Sequence, residues 1–148
     1  MWLKICSVMM VVFMACNLVT FSAVQPKYVF VHINQKQFSA FVGEQNPYIN
    51  QEGRVMVPVR IITHFGVKID DVYQDFKKLT VSVDVDGLNL NVAVGQKTMK
   101  FNEQTVVLEC APQKVRESIF VPLRALSETF GAKVHYEHST KKVLIYFK

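Results

Sequence analysis

A short segment of this chain of 148 residues is written twice. The sequence VPVRIITHFG runs from Val57 to Gly66, and VPLRALSETFG runs from Val121 to Gly131, about 64 residues later. Self-similarity at a fixed spacing is typical of a structural unit that occurs more than once. We therefore predict a single domain over residues 24–148 that is made of two pseudo-repeats, 27–85 and 86–148.

Several residue types recur at matched positions of the two copies. The repeat signature is a proline and a later glycine, which are Pro58 and Gly66 in the first copy and Pro122 and Gly131 in the second. Arg60 matches Arg124, and Tyr73 matches Tyr136. Each copy is interpreted as strand, strand, short strand ending in Val-Pro, helix, strand and strand.

Apolar residues alternate with polar ones over most of the chain, which predicts β-strands. The clearest segments are Tyr28–Ile33, Leu79–Val85, Leu88–Val94, Thr105–Glu109 and Lys142–Phe147. Asp86-Gly87 separates two of them and predicts a tight hairpin, because both residue types tolerate the positive φ of such a turn. We expect Val81, Val83 and Val85 to share one face, and Leu88, Leu90, Val92 and Val94 to share one face of the partner strand.

Helical spacing is best seen in Arg124–Phe130, which Gly131 follows where a left-handed cap belongs. A helix of two turns is not stable alone in water, so it must pack on a sheet. The sequence therefore predicts an α+β fold, in which an antiparallel β-sheet wraps around short α-helices in two pseudo-repeats.

The first residues predict export. A basic start, Met1–Lys4, precedes an apolar stretch, Ile5–Ala15, and small residues lie near Thr20–Ala23. This is the layout of a signal peptide, so we predict a leader over residues 1–23 and a secreted or surface-associated protein. An uncleaved membrane anchor and a lipoprotein attached through Cys16 are the alternatives.

Removal of the leader also removes Cys6 and Cys16, so Cys110 becomes the single cysteine and no intrachain disulfide can form. A mature domain of roughly 125 residues is long enough to rely on a hydrophobic core. We expect Cys110 to be a small buried residue rather than a nucleophile. The net charge of +5 is dispersed, which favours anionic wall polymers or lipid headgroups over nucleic acid as partners.

The second copy, with Val-Pro-Leu-Arg, then Gly-Ala-x-Val-x-Tyr and Lys-Lys-Val-x-Ile, resembles the copper amine oxidase N-terminal-like domain of exported bacterial proteins, also called the stalk domain. The match covers Leu88–Lys148 well and Tyr28–Val83 less well. The first copy has one residue fewer between Arg60 and Gly66, and it has His64 near the position of Glu128. The resemblance implies a repeated antiparallel sheet around a short helix, and it implies no catalytic chemistry, since the stalk of the oxidase is separate from its catalytic domain.

Catalytic motifs are absent from the sequence. A copper amine oxidase needs an Asn-Tyr-Asp/Glu tripeptide and three copper-binding histidines, two of them as His-x-His, and the chain has neither. His135 and His138 are interpreted as a fortuitous pair, with a metal site as the alternative. The carboxylate pairs Asp70-Asp71 and Asp84/Asp86 are typical of turns. We predict that the protein is not an enzyme and uses no metal or cofactor.

Arg60 and Arg124 are the candidate site residues, because an arginine can clamp a carboxylate or phosphate through two hydrogen bonds. The favoured interpretation is a structural clamp on a nearby carboxylate such as Asp70 or Glu137, with ligand binding as the alternative. Tyr73 and Tyr136 are expected to pack over the helix, and stacking on a sugar ring is the alternative.

The predicted function is noncatalytic binding at the bacterial envelope. Wall glycan or an anionic wall polymer is the first candidate ligand, and a protein partner at an exposed sheet edge is the second. The alternative function is an accessory stalk or regulatory subunit of a separate secreted enzyme. A membrane contact is expected only through an uncleaved leader.

Overall fold

The computed structural model describes residues 27–39, 45–66, 69–75, 80–85 and 87–147, and the predicted leader over residues 1–23 lies outside them. The described chain has an α+β fold that consists mainly of antiparallel strands. The strands are β1 (Lys27–Tyr28), β2 (Phe30–Ile33), β3 (Lys36–Gln37), β4 (Tyr48–Ile49), β5 (Val55–Pro58), β6 (Ile69–Asp75), β7 (Thr80–Val85), β8 (Leu88–Ala93), β9 (Thr98–Phe101), β10 (Gln104–Val107), β11 (Gln113–Val115), β12 (Ser118–Pro122), β13 (Lys133–Glu137) and β14 (Lys142–Tyr146). A 3-10 helix (Val59–His64) follows β5, and helix α1 (Leu123–Thr129) follows β12.

Three sheets contain these strands. The central sheet has the order β1-β4-β5-β12-β11, the second sheet β10-β9-β8-β7-β6, and the third sheet β13-β14-β2-β3. Each sheet contains strands from both sides of residue 86. The two predicted halves therefore share all three sheets and do not form two separate domains. One pairing differs from the expected antiparallel pattern, because β14 runs parallel to β2.

The pairing of β5 with β12 joins matched positions of the two predicted copies. Val57 pairs with Val121, Pro58 with Phe120, and Met56 with Pro122. The register is therefore symmetric about the Val57–Val121 pair. Both valines are completely buried, so this pair belongs to the hydrophobic core.

The Asp-Gly hairpin forms between the predicted strands. Val85 pairs with Leu88 across the turn, and Gly87 has a φ of 74°. Val81, Val83, Leu90 and Val92 are buried as one inward side of the hairpin, whereas Leu88 beside the turn is 39% exposed and Val94 is only partly buried. Asp86 and the side chain of Val85 lie outside what the structure describes.

Two other predicted strands differ from the observed ones by more than one residue at an end. The segment Tyr28–Ile33 is divided at Val29, whose N–H donates to the Pro47 carbonyl at 3.1 Å. Strand β1 pairs with β4 in the central sheet, whereas β2 joins the third sheet. The segment predicted over Thr105–Glu109 ends at Val107, so Glu109 lies in the loop between β10 and β11.

The segments after the two prolines form different helices. Helix α1 ends in a Schellman motif, in which the Ala132 N–H donates to the Ser127 carbonyl at 3.0 Å and the Gly131 N–H donates to the Glu128 carbonyl at 2.9 Å. The first copy forms a 3-10 helix instead of the expected α-helix. Its β-branched residues disfavour an α-helix, and it has one residue fewer before its glycine.

The main core contains buried residues from every sheet and both helical segments. Its members include Val31, Val57, Ile61, Leu90, Leu123, Leu126 and Ile145. A smaller cluster contains Tyr48, Met56, Cys110 and Phe120. Cys110 is therefore buried as expected, with its Sγ 3.4 Å from the Met56 Sδ.

Candidate binding cleft

Arg124 lies at the point where β12 becomes helix α1. Pro122 has an extended backbone with a ψ of 122°, and the chain turns into the helix directly after it. Leu123 is buried there, whereas the side chain of Arg124 is half exposed. The guanidinium Nη1 of Arg124 lies 3.6 Å from the Oε1 of Glu109.

Arg54 approaches the same carboxylate from the loop between β4 and β5. The loop is held by Asn50, whose N–H donates to the Arg54 carbonyl at 2.9 Å and whose Oδ1 accepts from the Arg54 N–H at 2.8 Å. Gly53 completes the turn with a φ of 75°. The Nη1 of Arg54 lies 3.8 Å from Glu109 Oε1, so Glu109 is shared by two arginines.

These three residues border a cleft of about 250 Å³, called the arginine cleft below. Tyr136 and His138 complete its polar rim, and their rings meet edge to face with centroids 4.4 Å apart. The remaining lining is Gly53 and five branched aliphatic residues, namely Ile49, Val55, Leu123, Val134 and Val143. The cleft thus lies between the central and third sheets, beside the first turn of α1.

The charge of the arginine cleft is not balanced. Two guanidinium groups face one carboxylate, which leaves one positive charge in excess. The side chains are 45% and 50% exposed for Arg54 and Arg124 and 27% exposed for Glu109. Exposed ion pairs of this kind contribute about 0.2–1 kcal/mol, so the cleft can exchange its internal partner for an external anion at modest cost.

The observed partner of Arg124 corrects one expectation from the sequence. Glu137 accepts a hydrogen bond from the Thr140 hydroxyl, and the carboxylate beside Arg124 is that of Glu109. The side chain of Asp70 lies outside what the structure describes. Sequence reasoning missed Arg54 and Glu109 because both lie in loops outside the two matched segments, Val57–Gly66 and Val121–Gly131. The only sequence signal for this contact was the general preference of arginine for a carboxylate, which does not identify the partner.

The matched residues of the first copy are placed differently. Arg60 is exposed on the 3-10 helix, where its carbonyl accepts a hydrogen bond from Thr63 at 2.9 Å. Tyr73 lies in β6 opposite Ser82, and its side chain is outside what the structure describes. The structure therefore brings Arg124 and Tyr136 together in the arginine cleft, and Arg60 does not line that cleft.

The four residues of the repeat signature lie at strand ends and helix ends, outside the arginine cleft. Pro58 and Pro122 are buried at the ends of paired strands. Gly66 and Gly131 each have a φ of 76°, and no atom would meet a Cβ at either position. Both glycines are therefore suited to their places by backbone conformation and not by packing.

The groups with perturbed acidity lie in the smaller cluster. Burial raises the pKa of the Cys110 thiol, and the carboxylate of Glu52 adds to this effect. Burial also raises the pKa of Tyr48, whose hydroxyl donates to Gln113 Oε1 at 3.0 Å. Both side chains pack in the smaller cluster and do not line the cleft.

No group of three or more His, Cys, Asp or Glu residues within the described ranges is placed to hold a metal ion. His135 is exposed on β13, whereas His138 follows the strand and contacts Tyr136. In the part of the chain that the structure describes, no helix has the length and hydropathy needed to cross a membrane.

Comparison with known families gives one match. Residues 32–145 match the family model described as the copper amine oxidase N-terminal domain. This range includes all residues of the arginine cleft. No curated protein and no solved structure matches the chain.

Proposed function

This chain belongs to the copper amine oxidase N-terminal domain family, and from that premise we propose that it is a noncatalytic binding module of the bacterial envelope. The proposal includes export by residues 1–23 and an origin of the domain in two tandem copies. The symmetric pairing of Val57 with Val121 supports the second point. The proposed first ligand is an anionic wall polymer or wall glycan.

The arginine cleft is the observation that carries this proposal. Arg54 and Arg124 converge there on one carboxylate, with an excess positive charge and half-exposed guanidinium groups. Arginine forms paired hydrogen bonds with carboxylate and phosphate groups. Tyr136 adds an aromatic ring at the rim, where it can cover part of a ligand.

The test is sedimentation of the purified protein with insoluble cell wall at about 0.05 M and about 0.3 M salt. We expect retention at both salt concentrations, and Arg124→Ala should weaken it about tenfold, as for a lost hydrogen bond to a charged group. Arg116→Ala is the matched control, because it removes the same charge from a turn outside the cleft. Equal losses in both variants would mean attraction by net charge only.

A protein partner, such as a separate secreted enzyme, is the second candidate. The observation that favours it is β10, which forms one edge of the second sheet in the described chain and carries Val107 with 75% of its surface exposed. An extended segment of a partner can add to such an edge. Copurification of enzyme activity with the wild type but not with Val107→Lys would support this function, and equal copurification with both would oppose it.

A further inference from the structure

The arginine cleft already holds a carboxylate that belongs to the chain itself. We propose that Glu109 acts as an internal substitute for the ligand, and that the ligand is the C-terminal residue of a peptide. Its α-carboxylate would displace Glu109 from Arg54 and Arg124, while its apolar side chain would lie against the aliphatic lining. This inference rests on the proposed binding role of the arginine cleft, and it names a peptide terminus in place of the wall polymer or glycan as the ligand.

The distances to Glu109 support displacement. Charge-assisted hydrogen bonds between guanidinium and carboxylate measure about 2.7–2.9 Å. The separations of 3.6 Å and 3.8 Å exceed that range, so Glu109 attracts both arginines without forming a hydrogen bond at either of these contacts. An external carboxylate can therefore form bonds that Glu109 does not form.

The apolar lining of the cleft indicates which chemical group carries the carboxylate of the ligand. Of the five branched aliphatic side chains that line the cleft, Ile49, Val55 and Val134 are partly exposed and offer apolar surface to a ligand, whereas Leu123 and Val143 are almost fully buried. Its volume of about 250 Å³ is below the range of about 300–1,000 Å³ that is usual for sites of drug-sized ligands. A single apolar side chain next to the charged group fits this space.

An acidic sugar fits the lining less well. Its hydroxyl groups would lie against Ile49, Val55 and Val134, and burial of a hydroxyl without a hydrogen bond is unfavourable. Inorganic phosphate has the charge but no apolar group for the same surface. The chemistry of the lining therefore favours a peptide terminus over both.

The experiment is an NMR titration of the full-length chain with N-acetyl-leucine. N-acetyl-leucinamide, which lacks the charge, and acetate, which lacks the apolar group, are the matched probes, and galacturonate and inorganic phosphate represent the other anions. We expect N-acetyl-leucine to bind most tightly and to shift the amide signals of Arg54, Leu123 and Tyr136. Equal binding of the amide, or tighter binding of galacturonate or phosphate, would overturn the proposal.

Glu109→Gln tests the internal substitute directly. The glutamine keeps the size of the side chain and removes the competing charge, so N-acetyl-leucine should bind about two- to fivefold more tightly. Arg54→Ala and Arg124→Ala should each weaken binding, and Arg116→Ala should leave it unchanged. Circular dichroism melting of each variant checks the fold. Unchanged or weaker binding by a folded Glu109→Gln protein would contradict the role of Glu109.

The two proposals fail separately. If wall retention depends on Arg124 but N-acetyl-leucine does not bind, the carboxylate inference is wrong and the proposed function remains. If N-acetyl-leucine binds and wall retention does not depend on Arg124, the wall ligand is wrong and the inference remains.

Discussion

Cys110 holds its proton more tightly in the folded chain than in the unfolded chain, because burial raises the pKa of its thiol. Its contribution to stability is fully present below the pKa of an unfolded thiol, about 8.5, and it is lost as the pH rises toward the higher folded pKa. Cys110 should therefore contribute to a fall in the free energy of unfolding as the pH rises through this range.

Cys110→Ala should remove this part of the pH dependence. We expect the free energy of unfolding of the wild type to decrease between about pH 8 and pH 9.5, and that of the variant to decrease less. Urea unfolding followed by circular dichroism, with reductant present, measures both. The same decrease in the two proteins would contradict the assignment, while a constant offset between them reports only the change in packing.

The residues of the arginine cleft show what sequence reasoning can find at this scale. Arg124 and Tyr136 were predicted as candidate residues because the same residue types occur at the matched positions of the first copy. Arg54 and Glu109 lie 55 positions apart, in two loops, and only the folded chain brings them together. The tertiary structure determines which carboxylate lies beside an exposed arginine. A local sequence pattern carries no information about that contact.

Helix α1 depends on its terminal glycine for conformation rather than for space. Gly131 has a φ of 76°, and a Cβ there would meet no atom within 4 Å. Gly131→Ala should therefore lower the free energy of unfolding by about 1–2 kcal/mol, the cost of a left-handed conformation for a residue with a Cβ. Gly131→Asn should cost less, because asparagine adopts this conformation more readily.

Urea unfolding of the two variants checks this prediction. Equal stability of wild type and Gly131→Ala would show that the Schellman motif does not depend on glycine. A larger loss with asparagine than with alanine would show that side-chain packing, and not the backbone angle, decides the cost.

Local patterns predicted some elements well and others only in part. The Asp-Gly turn and the alternation around it predicted the β7–β8 hairpin with its register, because both signals are local. The break at Val29 and the parallel pairing of β14 with β2 involve partners far away in sequence, so the pattern within each strand could not show them. The 3-10 helix after Pro58 also follows from a local feature, the loss of one residue.

At the scale of the whole molecule, the strands of residues 27–85 and 87–147 complete each other. Strand β12 pairs with β5, β14 with β2, and β8 with β7. Each half alone would expose a strand edge and part of the shared core. The two halves of the described chain therefore form one folding unit.

A fragment that contains only residues 86–148 should not fold by itself. Its heteronuclear NMR spectrum should show the narrow amide dispersion of an unfolded chain, whereas the full-length protein should show wide dispersion. The matched control is the fragment 27–85, which should behave in the same way. A well-dispersed spectrum from either fragment would mean that the interlocked sheets are not required.

The most direct test of the arginine cleft uses all four arginines of the chain in two matched pairs. Arg54→Ala/Arg124→Ala removes two charges from the cleft, and Arg60→Ala/Arg116→Ala removes two charges from positions that do not line it. Retention on insoluble cell wall at about 0.3 M salt should be lost by the first variant and kept by the second. Equal retention of the two double variants, or loss only in the second, would contradict the assignment of binding to this cleft.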